Sequence, residues 1–247
     1  SLTIKGFNLA DKYLMTSMIL ADGTIGQMME PISFEDAEIE TYEKPWALTG
    51  TECKRKHNIV NSLYLQPDKL EQKNFERFQR YKVVEENEAM WEEYMMDDAE
   101  ICVVAFGIAS RIAKNAVAEA RKQGIKVGMI RPITLWPFPV APFKAAADKV
   151  KSFISVELSM GQMIEDVKLA TKCKKPVSLC NRVGGMIPTT ENVLAKIKEA
   201  NENVTSNEQL KEQNEALEVE VKEIGVICDD GVLVKNKEGK IKNESIV

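Results

Sequence analysis

Few residues in this chain combine a reactive type with a spacing that chemistry would need. Asp22-Gly23 has the form of the acid-glycine step that opens a Mg2+ site, but such a site takes several oxygen ligands. The downstream candidates, Asn58 and Asn61, lie in a polar stretch with nothing to fix them, so the magnesium reading is set aside. Gly184-Gly185 follows an apolar run without the G-x-G-x-x-G spacing that brings a backbone against a pyrophosphate. The five cysteines, Cys53, Cys102, Cys173, Cys180 and Cys228, form no C-x-x-C pair and have one histidine, His57, to assist them. Zinc and iron–sulfur sites, which need closely repeated ligands, are not expected. No metal ligand and no catalytic residue is assigned.

Composition narrows the class further. The 247 residues suffice for one large or two small domains, and 44% hydrophobic with 29% charged residues describes an ordinary globular chain. A formal charge of −5 with no basic stripe excludes a nucleic-acid surface. No signal peptide or membrane-length apolar run is present, and unpatterned thiols suit a reducing cytoplasm.

The elements that would position any site are clearest between residues 99 and 202. There "ICVVAF", "IKVGMI", "SFISVE" and "PVSLC" read as strands. The helices "IASRIAKNAVAEARKQG", a segment near 141–149, "GQMIEDVKLATK" and "TTENVLAKIKEAN" alternate with them. This alternation predicts right-handed crossovers and an α/β fold, a doubly wound, mostly parallel sheet covered on both faces. Runs such as "ICVVAF" lack polar alternation, as strands buried on both sides should. Gly124 is the expected C-cap of the first helix, and Cys102 a small core residue.

Other regions differ in kind. Residues 1–30 read as a helix with Ile4, Phe7, Leu9 and Ala10 on its apolar face, then a buried strand in "LMTSMILAD". Residues 31–98 read as a connecting arm with an amphipathic helix from Pro67 to Tyr94. Residues 203–247 form a tail. Leu210, Asn214, Leu217, Val221 and Ile224 share one face of a terminal helix, and "VICDDGVLVKNKEGKIK" has the pattern of a hairpin.

In such sheets ligands and partners approach the carboxyl ends of the strands. Those ends carry Gly107, the stiff segment "RPITLWPFP", the turn Glu157-Leu-Ser-Met-Gly-Gln, and Arg182-Val-Gly-Gly-Met-Ile-Pro-Thr. Together, "DGTIGQMMEP", "RPITLWPFP", "VELSMGQMIEDVKLA" and "VGGMIPTTENVLAKI" resemble, in the same order, the alpha subunits of the 2-oxoacid:ferredoxin oxidoreductases. The likeness is closest to the 2-oxoisovalerate and 2-oxoglutarate members and covers about residues 1–200. It implies a transketolase C-terminal-like domain at 99–202 and, at 1–30, the end of a pyrimidine-binding domain whose other strands lie upstream.

The resemblance further implies thiamine diphosphate with Mg2+ at a site shared with a beta subunit, and [4Fe-4S] clusters on a ferredoxin-like delta subunit. It also implies a gamma subunit, coenzyme A as co-substrate, and ferredoxin as electron acceptor. The reaction would be oxidative decarboxylation of a 2-oxoacid, 2-oxoisovalerate favoured, to acyl-CoA and CO2. Nothing here matches the glutamate that protonates the cofactor's aminopyrimidine; Glu30, Glu35, Glu43 and Glu157 stand in the wrong context. The chain alone is therefore expected to be inactive and to supply mainly assembly surface. A non-catalytic, stand-alone interaction module of the same fold is the alternative.

On that reading Asp22, Gly23 and Gln27 form a cofactor-side turn. Arg131, Pro132, Trp136, Pro137 and Phe138 form an inter-domain or inter-subunit wedge, with Arg131 in a fixed ion pair across a seam. A Pro-rich loop that merely covers the sheet end is the plainer account of the same residues. Gly161 and Gln162 open a helix with Ser159 as candidate cap, either as ordinary capping or as a contact to a partner or to coenzyme A. Gly184, Gly185 and Pro188 complete the interface set. Met28, Met29, Met160 and Met163 are expected to be packing residues.

Overall fold

The computed structural model describes residues 2–31, 33 and 39–206, and the backbone of three short strands between 225 and 242. Three helices come first, α1 (Leu2–Tyr13), α2 (Gly23–Gln27) and α3 (Pro67–Asn87). Strands and helices then alternate: β1 (Trp91–Tyr94), β2 (Ile101–Val104), α4 (Gly107–Lys122), β3 (Val127–Pro132), α5 (Val140–Ala147), β4 (Ser152–Glu157), α6 (Met163–Thr171) and β5 (Val177–Asn181). A further helix, α7, covers 190–206.

The sheet has the order β1-β3-β2-β4-β5. β2 to β5 are parallel and β1 runs antiparallel to β3 at the edge. Every residue of β2 and β4 is buried, because helices cover both faces. On one face Ala113, Ala116 and Val117 of α4 pack with Val193 and Ile197 of α7 against Val103, Met129 and Ile154. On the other, Phe143 of α5 and Val167 of α6 pack against Cys102, Val104, Ile130 and Phe153. Each fully buried Val, Ile or Phe contributes about 1.5–3 kcal/mol, and the alanines of α4 let that helix lie close to the strands. The doubly wound α/β fold is thus the one the apolar runs predict.

The chain moves from β2 outward to β3, then crosses back over β2 to reach β4. The connections from β2 and β4 therefore leave in opposite directions, which opens a crevice between their carboxyl ends.

Several expectations change. The arm helix stops at Asn87, and Trp91–Tyr94 is an edge strand with alternating burial. Its "WEEY" sequence has the two-residue period of a strand with one covered face. "LMTSMILAD" forms no strand: Met18, Ile19 and Leu20 are exposed and the segment is irregular. An apolar run becomes a strand only when another backbone completes its ladder, and no described strand lies beside it. α1 forms, yet Phe7 is exposed; the helix is tied down instead by Lys12 and Tyr13, both donating to Glu88 at 2.8 and 2.5 Å. Met28, Met29 and Met160 are exposed, and only Met163 of the four packs in the core.

The tail strands β6 (Gly225–Cys228), β7 (Gly231–Lys235) and β8 (Ile241–Lys242) form an antiparallel sheet in the order β6-β7-β8, with Cys228 opposite Gly231. The helical face of Leu210, Asn214, Leu217, Val221 and Ile224 lies outside the described residues. Among the described residues no helix is long and apolar enough to cross a membrane.

Candidate functional site

Parallel pairing of β3, β2, β4 and β5 brings their four carboxyl ends to one edge of the sheet. The notable segments of the sequence therefore share that edge, spaced by about 4.8 Å per strand. Because β1 is antiparallel, its amino end arrives there too, and Met90 O accepts from the Ile133 and Thr134 amides at 2.9 and 3.2 Å.

Beside the crevice, at the end of β4, Glu157 organises the next turn. Its buried carboxylate accepts from Ser155 Oγ and Ser159 Oγ, each at 2.8 Å. It also accepts from the amides of Gln162, Met163 and Ile164 at 2.7, 3.1 and 2.8 Å. These amides are the unpaired donors of the first turn of α6. Burial alone would push the carboxyl up, but the donors from Gln162, Ser155, Ser159 and Ile164 outweigh it and hold it below the usual carboxylate range.

Ser159 is therefore not the cap of α6. It accepts from Gly161 N and donates to Glu157, whose ionised oxygens are the stronger acceptors for the helix amides. Asn181 Nδ2, at the end of β5, donates to Ser159 O at 2.7 Å and joins the next strand to this turn. Gln162 is exposed, Gly184 and Gly185 lie in an exposed turn at positive φ, and Pro188 is buried.

At the end of β2 the amino terminus of α4 meets Asp22. One carboxylate serves two helices: Oδ1 accepts from Ile25 N of α2 and Oδ2 from Ile108 N of α4, both at 2.8 Å. Gly107 sits at φ +61 with no side chain to obstruct this approach. Nearby, Arg111 of α4 pairs with Glu30. A cavity of about 230 Å3 is lined by these two residues with Ile25 and Met28. Gln27 is exposed at the end of α2.

The "RPITLWPFP" segment is anchored within the chain. Arg131 donates to Glu92 of the neighbouring β1 at 2.8 Å, so its carboxylate partner is its own edge strand, while its Nε is buried without a hydrogen-bond partner. Phe138 stacks on Phe143 at 5.0 Å and joins the core. Pro132 and Pro137 are buried, the latter after a cis peptide bond. Trp136 differs, being 51% exposed with its ring edge-on to Tyr81 of α3 at 5.4 Å.

Of the residues singled out in sequence, the edge brings Ser159, Gly161 and Gln162 together around Glu157, and sets Asp22 and Gly23 at the α4 terminus. Trp136 stands apart beside α3. Sequence reasoning named Glu157 at this turn but gave it no role there, and singled out neither Arg111 nor Tyr81 for the site. Only Glu157 left a signal, an acid that ends an apolar strand just before a helix start. Among the described residues no group of three or more His, Cys, Asp or Glu side chains is placed to hold a metal. Asp22 gives one carboxylate oxygen to each of two backbone amides, Ile25 N and Ile108 N.

Residues 99–193 match the family described as pyruvate:ferredoxin oxidoreductase core domain II. The ketoisovalerate oxidoreductase subunits VorB of Methanothermobacter marburgensis and Methanothermobacter thermautotrophicus are 48% and 46% identical over 199 residues, 80% of this chain and 56% of each relative. The 2-oxoglutarate synthase subunit KorA of Methanothermobacter marburgensis is 27% identical over 226 residues, 79% of this chain and 59% of the relative. The chain thus spans little more than half of these relatives. The 2-oxoglutarate:ferredoxin oxidoreductase of Magnetococcus marinus shares the fold, with a TM-score of 0.67 at 23% identity over 81% of this chain and 40% of that one. With its four motifs on one edge of a doubly wound sheet, the chain matches the core domain II family over 99–193 and is similar over most of its length to two VorB subunits of ketoisovalerate oxidoreductases.

Proposed function

We propose that this chain works as part of the alpha subunit of a thiamine diphosphate-dependent 2-oxoacid:ferredoxin oxidoreductase, with 2-oxoisovalerate as the favoured substrate. The observation that carries the reading is the 48% identity to a ketoisovalerate oxidoreductase subunit over 199 residues, 80% of this chain. In this reading the beta subunit holds the diphosphate and Mg2+, a ferredoxin-like delta subunit holds the [4Fe-4S] clusters, and a gamma subunit completes a cytoplasmic complex. Coenzyme A is the acyl acceptor and ferredoxin takes the electrons.

The chain's own contribution is assembly. Residues 1–30 are the end of a pyrimidine-binding domain, 31–98 an arm, 99–202 the docking domain, and 203–247 a tail. Support comes from the apolar surface of the arm: Leu63, Leu65, Phe75 and Phe78 are all exposed. Apolar surface on this scale favours burial against other protein. Half-exposed Trp136 adjoins that surface through Tyr81 of α3, and exposed Gln162, Gly184 and Gly185 are the further contacts assigned to the seam in this reading.

Anaerobic affinity purification of the native polypeptide, followed by mass spectrometry and an assay of 2-oxoisovalerate- and CoA-dependent ferredoxin reduction, tests the reading. Beta, gamma and delta subunits are expected to co-purify with activity. Recovery of the chain without them, and without activity, would favour the stand-alone interaction module.

A further inference from the structure

The crevice between β2 and β4 is where a doubly wound sheet ordinarily takes an anion, at the amino terminus of the helix after the first strand. Here the chain fills that place itself. Asp22 Oδ2 meets Ile108 N at 2.8 Å, 86 residues away in sequence. The fit is close, because a Cβ built on Gly107 would come 2.7 Å from the same oxygen. Through Oδ1 the carboxylate also starts α2. The turn from Asp22 to Glu30 is thus held to the sheet domain at two places, by Asp22 on the α4 terminus and by Glu30 on Arg111 one turn along that helix. Between these two anchors lies exposed Gln27.

We propose that Asp22 is a positioning residue rather than a cofactor ligand: it plugs the sheet domain's crevice and so fixes the turn that presents Gln27 toward the thiamine cofactor. This rests on the reading of that turn as cofactor-facing. The same geometry makes the α4 terminus a socket for the chain's own carboxylate, unavailable to a nucleotide or phosphate.

Asp22→Asn separates the two halves of the contact. An amide has one acceptor oxygen, so it can start α2 or meet Ile108 N–H, but not both; its NH2 group opposes the second donor. Gly107→Ala attacks the same contact from the other side, by steric exclusion and by its strained positive φ.

The experiment uses the assembled oxidoreductase complex, with hydrogen exchange read by mass spectrometry and thiamine diphosphate affinity by titration. Both variants are expected to speed exchange in 20–31 and 107–111 about tenfold. Cofactor binding is expected to weaken by a similar factor, with the larger share of the kinetic loss in KM for the cofactor rather than kcat. Unchanged exchange in both variants would overturn the latch. Faster exchange with unaltered cofactor affinity would overturn the positioning role while leaving the functional reading intact. A wild-type complex that binds no thiamine diphosphate would remove that reading, and this proposal with it. Should Gly107→Ala fail to assemble, the nearly isosteric Asp22→Asn decides alone.

Discussion

Ile164 N–H donates to Glu157 Oε1 at 2.8 Å, tying the first turn of α6 to the last residue of β4. With the amides of Gln162 and Met163 on Oε2, the carboxylate takes three backbone donors in an enclosed place. Glu157→Gln turns an NH2 group toward those donors and is expected to destabilise the domain by about 2–4 kcal/mol. The carboxyl sits below its usual range, so its stabilisation is present above the unfolded-state pKa and is lost as pH falls through the folded one. The gap between wild type and variant should thus be widest near neutrality and narrow in acid below the ordinary carboxylate range. Urea denaturation across pH checks both statements; a gap independent of pH would contradict them.

The edge strand depends on a missing side chain. Gly128 of β3 faces Met95 and Met96, and a Cβ there would lie 2.5 Å from Met95 O and 2.6 Å from Met96 Sδ. Backbone cannot yield as a side-chain tip does, so Gly128→Ala is expected to push β1 off the sheet and cost about 1–3 kcal/mol. Faster amide exchange in 91–96, with the parallel strands still protected, is the signature to look for.

These two sites show which parts of the molecule were legible in the sequence. Apolar runs such as Ile101–Val104 and Ser152–Glu157 announced strands buried on both faces, and Gly124 at φ +82 ends α4 as its position suggested. Local patterns can report only contacts between near neighbours. The bond from Asp22 to Ile108 N joins distant segments and left no local trace. "LMTSMILAD" misled for the related reason that strand formation needs a partner backbone, which no local pattern supplies. At Ser159 the right location was read with the wrong acceptor, because the hydroxyl and the stronger carboxylate stand two residues apart.

Thiol chemistry offers a check on the core. Cys102 is fully buried in β2, and burial pushes its thiol well above the ordinary range, while Cys53 and Cys173 are exposed. Because the thiolate is the reactive form, iodoacetamide is expected to label Cys53 and Cys173 in the folded chain and to reach Cys102 only in denaturant. Peptide mapping reads this directly. Labelling of Cys102 at native rates would mean that the sheet opens between β2 and its neighbours.

Trp136 is the member of the proline segment whose loss separates folding from assembly. Phe138 lies against Phe143, so truncating it would damage the core. Trp136 is half exposed and touches Tyr81 edge-on, a pair worth about 0.5–1.5 kcal/mol. Trp136→Ala should therefore lower the domain's stability by no more than about 2 kcal/mol by chemical denaturation. If the indole is an anchor of the subunit seam, the same change should weaken association with the partner subunits by about tenfold or more, the loss typical of an aromatic hot spot. Calorimetric titration of the purified subunits measures it. A variant that assembles like wild type would reduce the segment to a cover for the sheet end, since Arg131 with Glu92 and Phe138 with Phe143 already account for its rigidity.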